Sequence, residues 1–347
     1  MTDNAELVPV QTDPFNAETP IQALSEPITP TPLVYVRNHF NVPKIDLDAW
    51  RILVDGVVER PLRIALSDLQ GLPHRQMVVT LECAGNGRTL MAPVPSGTPW
   101  RLGAVSTVRV TGTSLYHVLE RARIRSDAIE VLFVGADRGL VKEGQIEPFA
   151  RSLSLEVARN PDVLLVWALN DERLPLEHGF PVRLMVPNWY GVASVKWLVR
   201  ISVLSRPFEG YFQKENYVYE GERDTPGSRP VTLMRTRSLI SWPADGSEHP
   251  LGTMKLLGIG WSGHGSISHV EISTDEGRSW NAAELGKPLS SHSATPWHFE
   301  WNPSSKGSYE IMVRATDDAG NTQPLEPVWN VRGFGNNAVE RIRVTLR

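Results

Sequence analysis

Cysteine is almost absent from this chain: Cys83 is the one thiol in 347 residues. A single thiol excludes an internal disulfide, a CxxC redox pair, a Cys-rich zinc site, an iron–sulfur cluster and the CxxCH haem attachment. Redox chemistry, if there is any, must use another centre. Long hydrophobic runs are missing too. The longest uninterrupted apolar stretch is Val163 to Leu169, far short of the roughly 20 residues that span a bilayer as a helix, so no membrane partner is expected. Basic excess is lacking: the net charge of −4 and pI near 6.2 provide no field for nucleic acid or anionic lipid. Lysine is scarce, with 7 against 28 arginines. An arginine-preferring genome accounts for the overall imbalance, so only arginines inside particular motifs carry a functional argument. No GxxxxGK[ST] string occurs, so no P-loop is expected.

What is present is enough chain for two buried cores, with 41% hydrophobic and 21% charged residues. Residues 1–32 are rich in Pro, Thr and acidic groups and read as an extended arm. They show no basic start, apolar stretch or twin arginine, so a cytoplasmic location is expected, or a periplasmic one if a leader was removed. From 33 to 230 the pattern mixes strands with short helices. Gln76–Leu81, Ile129–Val134, Val163–Leu169, Val182–Val186 and Val195–Leu204 have strand composition. Thr113 or Ser114 caps a helix whose stripe is Leu115, Val118, Leu119 and Ala122, while Ser67-Asp68 and Ser154 open shorter turns. This predicts a mixed α+β domain. Residues 231–347 instead give short alternating runs, such as His269–Ser273, Trp297–Trp301 and Tyr309–Ala315, separated by turns. That spacing predicts an immunoglobulin-like β-sandwich serving dimerisation or docking.

Four clusters could carry chemistry. Cys83 lies in Leu81-Glu82-Cys83-Ala84-Gly85-Asn86-Gly87-Arg88. A lone cysteine is by default a small buried hydrophobe. Here Gly85 and Gly87 would permit close approach of a ligand, and Arg88 would favour the thiolate. A thiolate is a soft metal ligand or a nucleophile, and no base is in sequence view. The second cluster is Tyr35-Val36-Arg37-Asn38-His39, which could satisfy loop backbone or clamp an anion. The third, Glu177 to Arg183, sets His178 and Arg183 at the ends of a loop feeding a strand. The fourth, Ser194-Val195-Lys196-Trp197, reads as a strand edge with Ser194 and Lys196 on one face.

Taken together, Arg37-Asn38-His39, Cys83-Ala84-Gly85-Asn86-Gly87-Arg88, Asp137-Arg138, His178 to Arg183, Ser194 to Leu198 and Val328-Trp329-Asn330-Val331-Arg332-Gly333 resemble the sulfite oxidase family of molybdenum enzymes, in the family's order. The resemblance implies that Cys83 ligates molybdenum beside the dithiolene of a molybdopterin. The cofactor would be held by Tyr35, Val36, Arg37, Asn38, His39, Asp137, His178, Arg183, Ser194, Val195 and Lys196. It also implies that Arg37, Arg88 and Arg332 surround an oxyanion, with Trp100 as an aromatic wall. Tyr217 would be the phenol at the reacting centre, chosen over Tyr211 and Tyr219 because Gly210-Tyr211-Phe212 aligns without a gap.

The implied activity is oxidation of sulfite to sulfate in a stand-alone form without haem, in a two-domain homodimer that passes electrons to an external acceptor, either a cytochrome c-like protein or oxygen. Position 87 is glycine where many members carry a second arginine, which lowers the local charge. Arg332 favours sulfite over nitrate, because related nitrate reductases tend to lack an arginine there. A sulfane dehydrogenase-like or other oxyanion-processing enzyme of the same fold is the alternative, and a non-catalytic scaffold is a third reading. Intact Cys83, Arg37, Arg88, Tyr217 and Arg332 count against that third reading.

Overall fold

A computed structural model describes residues 5–222 and 227–347. The first half is built on two five-stranded sheets. In one, His74–Glu82 pairs with Val105–Ser114, which pairs with Leu164–Leu169, and both Glu172–Arg173 and Arg183–Met185 add to that last strand. In the other the order is Leu62–Ile64, Ile52–Gly56, Leu198–Leu204, Glu130–Lys142, Gln145–Ser154, with Ile52–Gly56 parallel to Leu198–Leu204. Leu164, Leu165 and Val166 are all fully buried, as a strand covered on both faces requires. Helix is sparse: the longest α-helix among the described residues is Leu115–Ala122. Ser114 caps it by accepting from Tyr116 N at 3.3 Å, and Leu115, Val118, Leu119 and Ala122 face the core. Arg123, at φ 53°, ends it. The half expected to be mixed α+β is therefore mostly strand.

Two expectations are corrected. Residues 5–32 do not form an extended arm. Val8–Thr12 and Phe15–Glu18 form a hairpin, Ile21–Ser25 and Thr31–Leu33 form 3-10 turns, and Asn16, Ala17, Thr19, Ala23 and Leu24 are buried. Pro20 and Pro30 precede the two turns with φ near that of their rings. The polar residues find partners in the body of the protein: Thr19 Oγ1 lies 2.8 Å from Ser106 Oγ, and Thr29 N donates to Thr107 O at 2.8 Å. Nor does Ser194–Trp197 lie on a strand. Ser194 closes the 3-10 turn Gly191–Ala193, Trp197 adopts φ 48°, and the strand begins at Leu198.

The second half is a two-layer β structure. Arg237–Trp242, Met254–Trp261, Thr295–Trp301 and Glu284–Leu285 make one sheet, and Glu248–His249, Glu340–Leu346, Gly307–Asp317, Ile267–Ser273 and Asn281–Ala282 the other. Their inner faces share a core of Ile240, Leu256, Val270, Ile272, Trp297, Val313 and Val344. Gly258-Ile259-Gly260-Trp261-Ser262-Gly263 spells the G-x-G-x-x-G spacing of dinucleotide loops. Gly258 and Gly260 lie inside a strand, paired with Trp297 and Thr295, not in the strand-to-helix turn that phosphate binding needs. The main core of the first half runs on into Val231, Met234, Leu239, Ile259, Trp261 and Phe334 of the second, so the halves are packed as one body. No helix is long and apolar enough to cross a membrane among the described residues.

Candidate molybdenum site

His74–Glu82 carries the chain out of the core straight into Cys83, whose N–H donates to Ala104 O at 2.9 Å. The thiol opens on a cavity lined by Tyr35, Arg37, His39, Cys83, Asp137, Phe149, His178, Arg183, Ser194, Lys196 and Tyr217 among others. Five separate sequence clusters thus converge on one space. Three of its walls carry cations, Arg37, Arg183 and Lys196, against the single lining carboxylate of Asp137.

The positive walls are held by neutral oxygens. Arg183 donates to His178 O and Ser194 O, both at 3.1 Å, and Lys196 Nζ donates to Glu177 O at 2.8 Å and to Asn38 Oδ1. Burial pulls Lys196 well below its usual pKa, reinforced by Arg183 and opposed by Asp137. Arg183 falls to about 10 through burial. Burial lifts Asp137 to about 6 against the pull of Lys196. Both histidines are neutral: burial, then neighbouring cations, sends His178 to about 3 and His39 well below its normal value. His39 stacks on Phe149 at 4.4 Å, and its Nε2 lies 2.6 Å from the Tyr217 hydroxyl.

Not every expected residue reaches the cavity. Val36 and Val195 are buried and contribute backbone, Val36 by pairing with Ala17 and Val195 by accepting from Leu184 N at 2.8 Å. Asn38 turns its amide to Phe15 O at 3.0 Å, so it holds Lys196 and the N-terminal hairpin rather than lining the wall. Trp100 is 1% exposed and packs in the cluster behind Cys83. Arg88 is buried beside the cavity, donating to Thr98 O at 2.6 Å and Arg332 O at 3.1 Å, with its cation 5.2 Å from the Phe334 ring centre. Arg332 is half-buried, donates to Glu215 O at 3.3 Å and leaves its Nε without a partner.

Two readings of the cysteine loop change. Burial pushes the Cys83 thiol above its usual pKa despite Arg37, the Gly85 N–H and Arg88, so the neighbouring arginines alone do not make it a thiolate. The glycines make room for arginines rather than for a ligand. A Cβ at Gly85 would stand 2.8 Å from Arg88 Nη2, and one at Gly87 would stand 2.8 Å from Arg237 Nη2.

Sequence reasoning also missed residues. Phe149 supplies the plate under His39. Arg151, 1% exposed, donates to Phe212 O at 2.5 Å and Val231 O at 3.1 Å and lies 6.0 Å from the Tyr217 ring centre. The N-terminal Asn16 accepts from Asn38 N at 2.6 Å and from Arg37 at 3.4 Å. None stands in a recognisable string, and one arginine among 28 gives no signal.

The donor set suits a large anionic group with a soft metal. Among polar atoms buried without partners, Asp137 Oδ1 and Arg183 Nε both belong to cavity-lining residues, which fits a hydrogen-bonding ligand between them. No three His, Cys, Asp or Glu side chains cluster as a metal site among the described residues. One thiolate beside a ligand that brings its own sulfurs is consistent with that.

A family profile described as "Oxidoreductase molybdopterin binding domain" matches residues 39–212, and one described as "Mo-co oxidoreductase dimerisation domain" matches residues 229–347. The chain belongs to the sulfite oxidase family of molybdenum enzymes. It is similar to mitochondrial sulfite oxidase of Rattus norvegicus, 36% identical over 96% of this chain and 64% of that one. It is similar to sulfite oxidase of Arabidopsis thaliana, 34% identical over 96% of this chain and 92% of that one. An NADH nitrate reductase of Lotus japonicus is 35% identical, over 41% of its own length. The chain spans about 64% of the length of the mammalian relatives. Among solved structures, the sulfane dehydrogenase SoxCD of Paracoccus pantotrophus superposes with a TM-score of 0.83 at 26% identity, over 94% of this chain and 83% of that one.

Proposed function

We propose that this chain is a molybdenum oxidoreductase that oxidises sulfite to sulfate. The carrying observation is the cavity itself, where one thiol and three cations meet in a chain that is 34–36% identical to sulfite oxidases over nearly its whole length. Tyr35, Arg37, His39, Asp137, His178, Arg183, Ser194 and Lys196 would hold a molybdopterin, its phosphate drawn to the cations and its pterin edge to the neutral histidines, Ser194 and Asp137. Cys83 would be the protein's ligand to the metal. When bound, the cofactor supplies the two-electron redox change and the exchange of an oxygen atom.

The chain's own residues bind, orient and hold protons. Arg37 at the cavity, with Arg88 and Arg332 beside it, offsets the dianionic charge of sulfite and of the departing sulfate. Tyr217, kept protonated by burial and set by His39, offers its hydroxyl to the reacting oxygen. Sulfite and one water become sulfate, two protons and two electrons, and the electrons leave to an external acceptor such as a cytochrome c-like protein. The β-sandwich, read as immunoglobulin-like, would join two copies in a homodimer.

A second reading has one observation in its favour, the superposition on a sulfane dehydrogenase. The test is elemental analysis for near-stoichiometric molybdenum, followed by sulfite-dependent reduction of ferricyanide or cytochrome c. Turnover with sulfite supports the proposal. Turnover with a sulfane-sulfur substrate and none with sulfite selects the second reading, and a folded protein that takes up no molybdenum in a cofactor-competent host refutes both.

A further inference from the structure

The loop that carries Cys83 is held from behind by the other half of the chain. Glu82, the residue before the thiol, has a side chain 1% exposed and accepts from Arg237 Nη1 at 2.9 Å, Trp261 Nε1 at 2.9 Å and Asn86 Nδ2 at 3.0 Å. The same Arg237 nitrogen reaches Asn86 O at 3.1 Å. Gly335 N donates to Ala84 O at 2.7 Å, Asn336 Nδ2 to Gly87 O at 2.7 Å, and Arg88 Nε to Arg332 O at 3.1 Å. Residues 82, 84, 86, 87 and 88 are each tied to a residue beyond 231, while two tight turns, Asn86 N to Cys83 O and Arg88 N to Gly85 O, close the loop itself and residues 98–104 hold its front, through Cys83 N to Ala104 O at 2.9 Å, Ala104 N to Asn86 Oδ1 at 3.2 Å and Arg88 Nη1 to Thr98 O at 2.6 Å.

A buried ion pair is expensive to form; here both carboxylate oxygens are satisfied, while Arg237 Nε stays buried without a partner. Its position argues for use: it joins the last residue of the strand to the domain opposite and leaves no slack in the loop between. A metal ligand must be held to within about half an ångström to be productive.

We propose that Glu82, Arg237 and Trp261 are positioning residues for Cys83, so that the β-sandwich completes the molybdenum site as well as joining copies of the chain. Gly87 follows from the same arrangement, since any Cβ there meets the Arg237 guanidinium. The inference concerns the loop and stands whichever sulfur oxyanion is the substrate.

Because Cys83 is the only cysteine, the rate of thiol labelling by a disulfide reagent in full-length, cofactor-free protein reads this loop alone, without sulfite or molybdenum. Arg237→Ala is expected to raise the rate about tenfold, and Trp261→Phe, which keeps an aromatic but smaller ring and removes the donor, about threefold, through local opening. The double variant Glu82→Gln/Arg237→Met removes both charges at similar volume. It is expected to recover the thermal midpoint while labelling remains at least about fivefold fast, because the Asn86 carbonyl has lost its donor.

Rates equal to the unsubstituted protein in folded variants overturn the proposal, as does a double variant that restores midpoint and rate together, which would mark the pair as merely structural. If the charge variants do not fold, Trp261→Phe decides by the same criterion. In holoenzyme, the thiolate-to-metal charge-transfer absorption should weaken in the same order as labelling quickens. An unchanged band in a fast-labelling variant refutes the link to ligand position.

Discussion

Replacing Gly87 by alanine separates two costs that usually arrive together. Gly87 sits at φ 81°, ψ 12°, a left-handed conformation that costs an L-residue about 1–2 kcal/mol. Its surroundings are full. The new Cβ would be 2.8 Å from Arg237 Nη2 and 3.0 Å from Asn336 Nδ2. Both are held nearby: Arg237, with a side chain 3% exposed, is tied through Nη1 to Glu82 and Asn86, and Asn336 donates to Gly87 O itself. Overpacking of this kind adds about 1–3 kcal/mol.

Gly144 supplies the control. It has φ 72° and nothing within 4 Å of its would-be Cβ, so Gly144→Ala carries the backbone cost alone. At about 2–4 °C per kcal/mol for domains of this size, Gly144→Ala, at about 1–2 kcal/mol, should lower the thermal midpoint by about 2–8 °C, and Gly87→Ala by at least about 2–4 °C more. Scanning calorimetry of the two variants side by side measures the difference. Equal midpoints would mean that the Arg237 guanidinium is not held where the hydrogen bonds place it, and the clamp on the cysteine loop would fall with it.

Three further outcomes are expected. Cys83→Ser should leave the fold and the far-ultraviolet circular dichroism intact and cut turnover by at least about 100-fold, because a hydroxyl is a poor soft-metal ligand; undiminished activity would make the thiol structural. Tyr217→Phe should lower kcat at least about tenfold with molybdenum content unchanged, by removing the hydroxyl 2.6 Å from His39; steady-state kinetics and metal analysis on one sample check it. The third concerns pH. Burial lifts Glu340 from 4.5 to about 7, so between those values the folded chain holds more protons there than the unfolded chain, and its contribution to stability falls as pH rises through the window. With 1.36 kcal/mol per unit, the difference between about 7 and 4.5 sets an upper bound of about 3 kcal/mol. Glu340→Gln keeps an acceptor for Ile240 N and should raise the midpoint at pH 8 more than at pH 5, as differential scanning fluorimetry would show.

The legible parts of the fold were those fixed by local period and local capping. The Leu115–Ala122 stripe with its Ser114 cap forms as its pattern predicts, and the runs read at 163–169, 269–273 and 309–315 fall on the strands Leu164–Leu169, Ile267–Ser273 and Gly307–Asp317. Composition misled at the N-terminus, because a Pro- and Thr-rich segment looks solvent-exposed until Ser106, Thr107 and Val36 supply its hydrogen-bond partners. It misled again at Ser194–Trp197, where β-branched neighbours suggested a strand and the positive φ of Trp197 broke it. In the site, Tyr35, Arg37, His39, Asp137, His178, Arg183, Ser194, Lys196 and Tyr217 do line one cavity with Cys83. Phe149, Arg151 and Asn16 escaped notice because what places them is contact with residues far along the chain.

By itself the sequence determined that redox chemistry needs a centre other than paired thiols, that one cysteine stands in a loop of glycines, and that an ordered set of short strings surrounds it. Those are properties of residue type and spacing, which the chain carries in any conformation. Tertiary structure decided what the spacing could not. It pushed the Cys83 thiol above its usual pKa, because burial outweighs the pull of the nearby arginines. It turned Asn38 and Trp100 into supports instead of walls. It also gave Gly85 and Gly87 their reason, since the guanidinium groups of Arg88 and Arg237 occupy the space a side chain would need. Arg237 lies 155 positions from Glu82, a separation no local pattern can span, and only folding brings the two together.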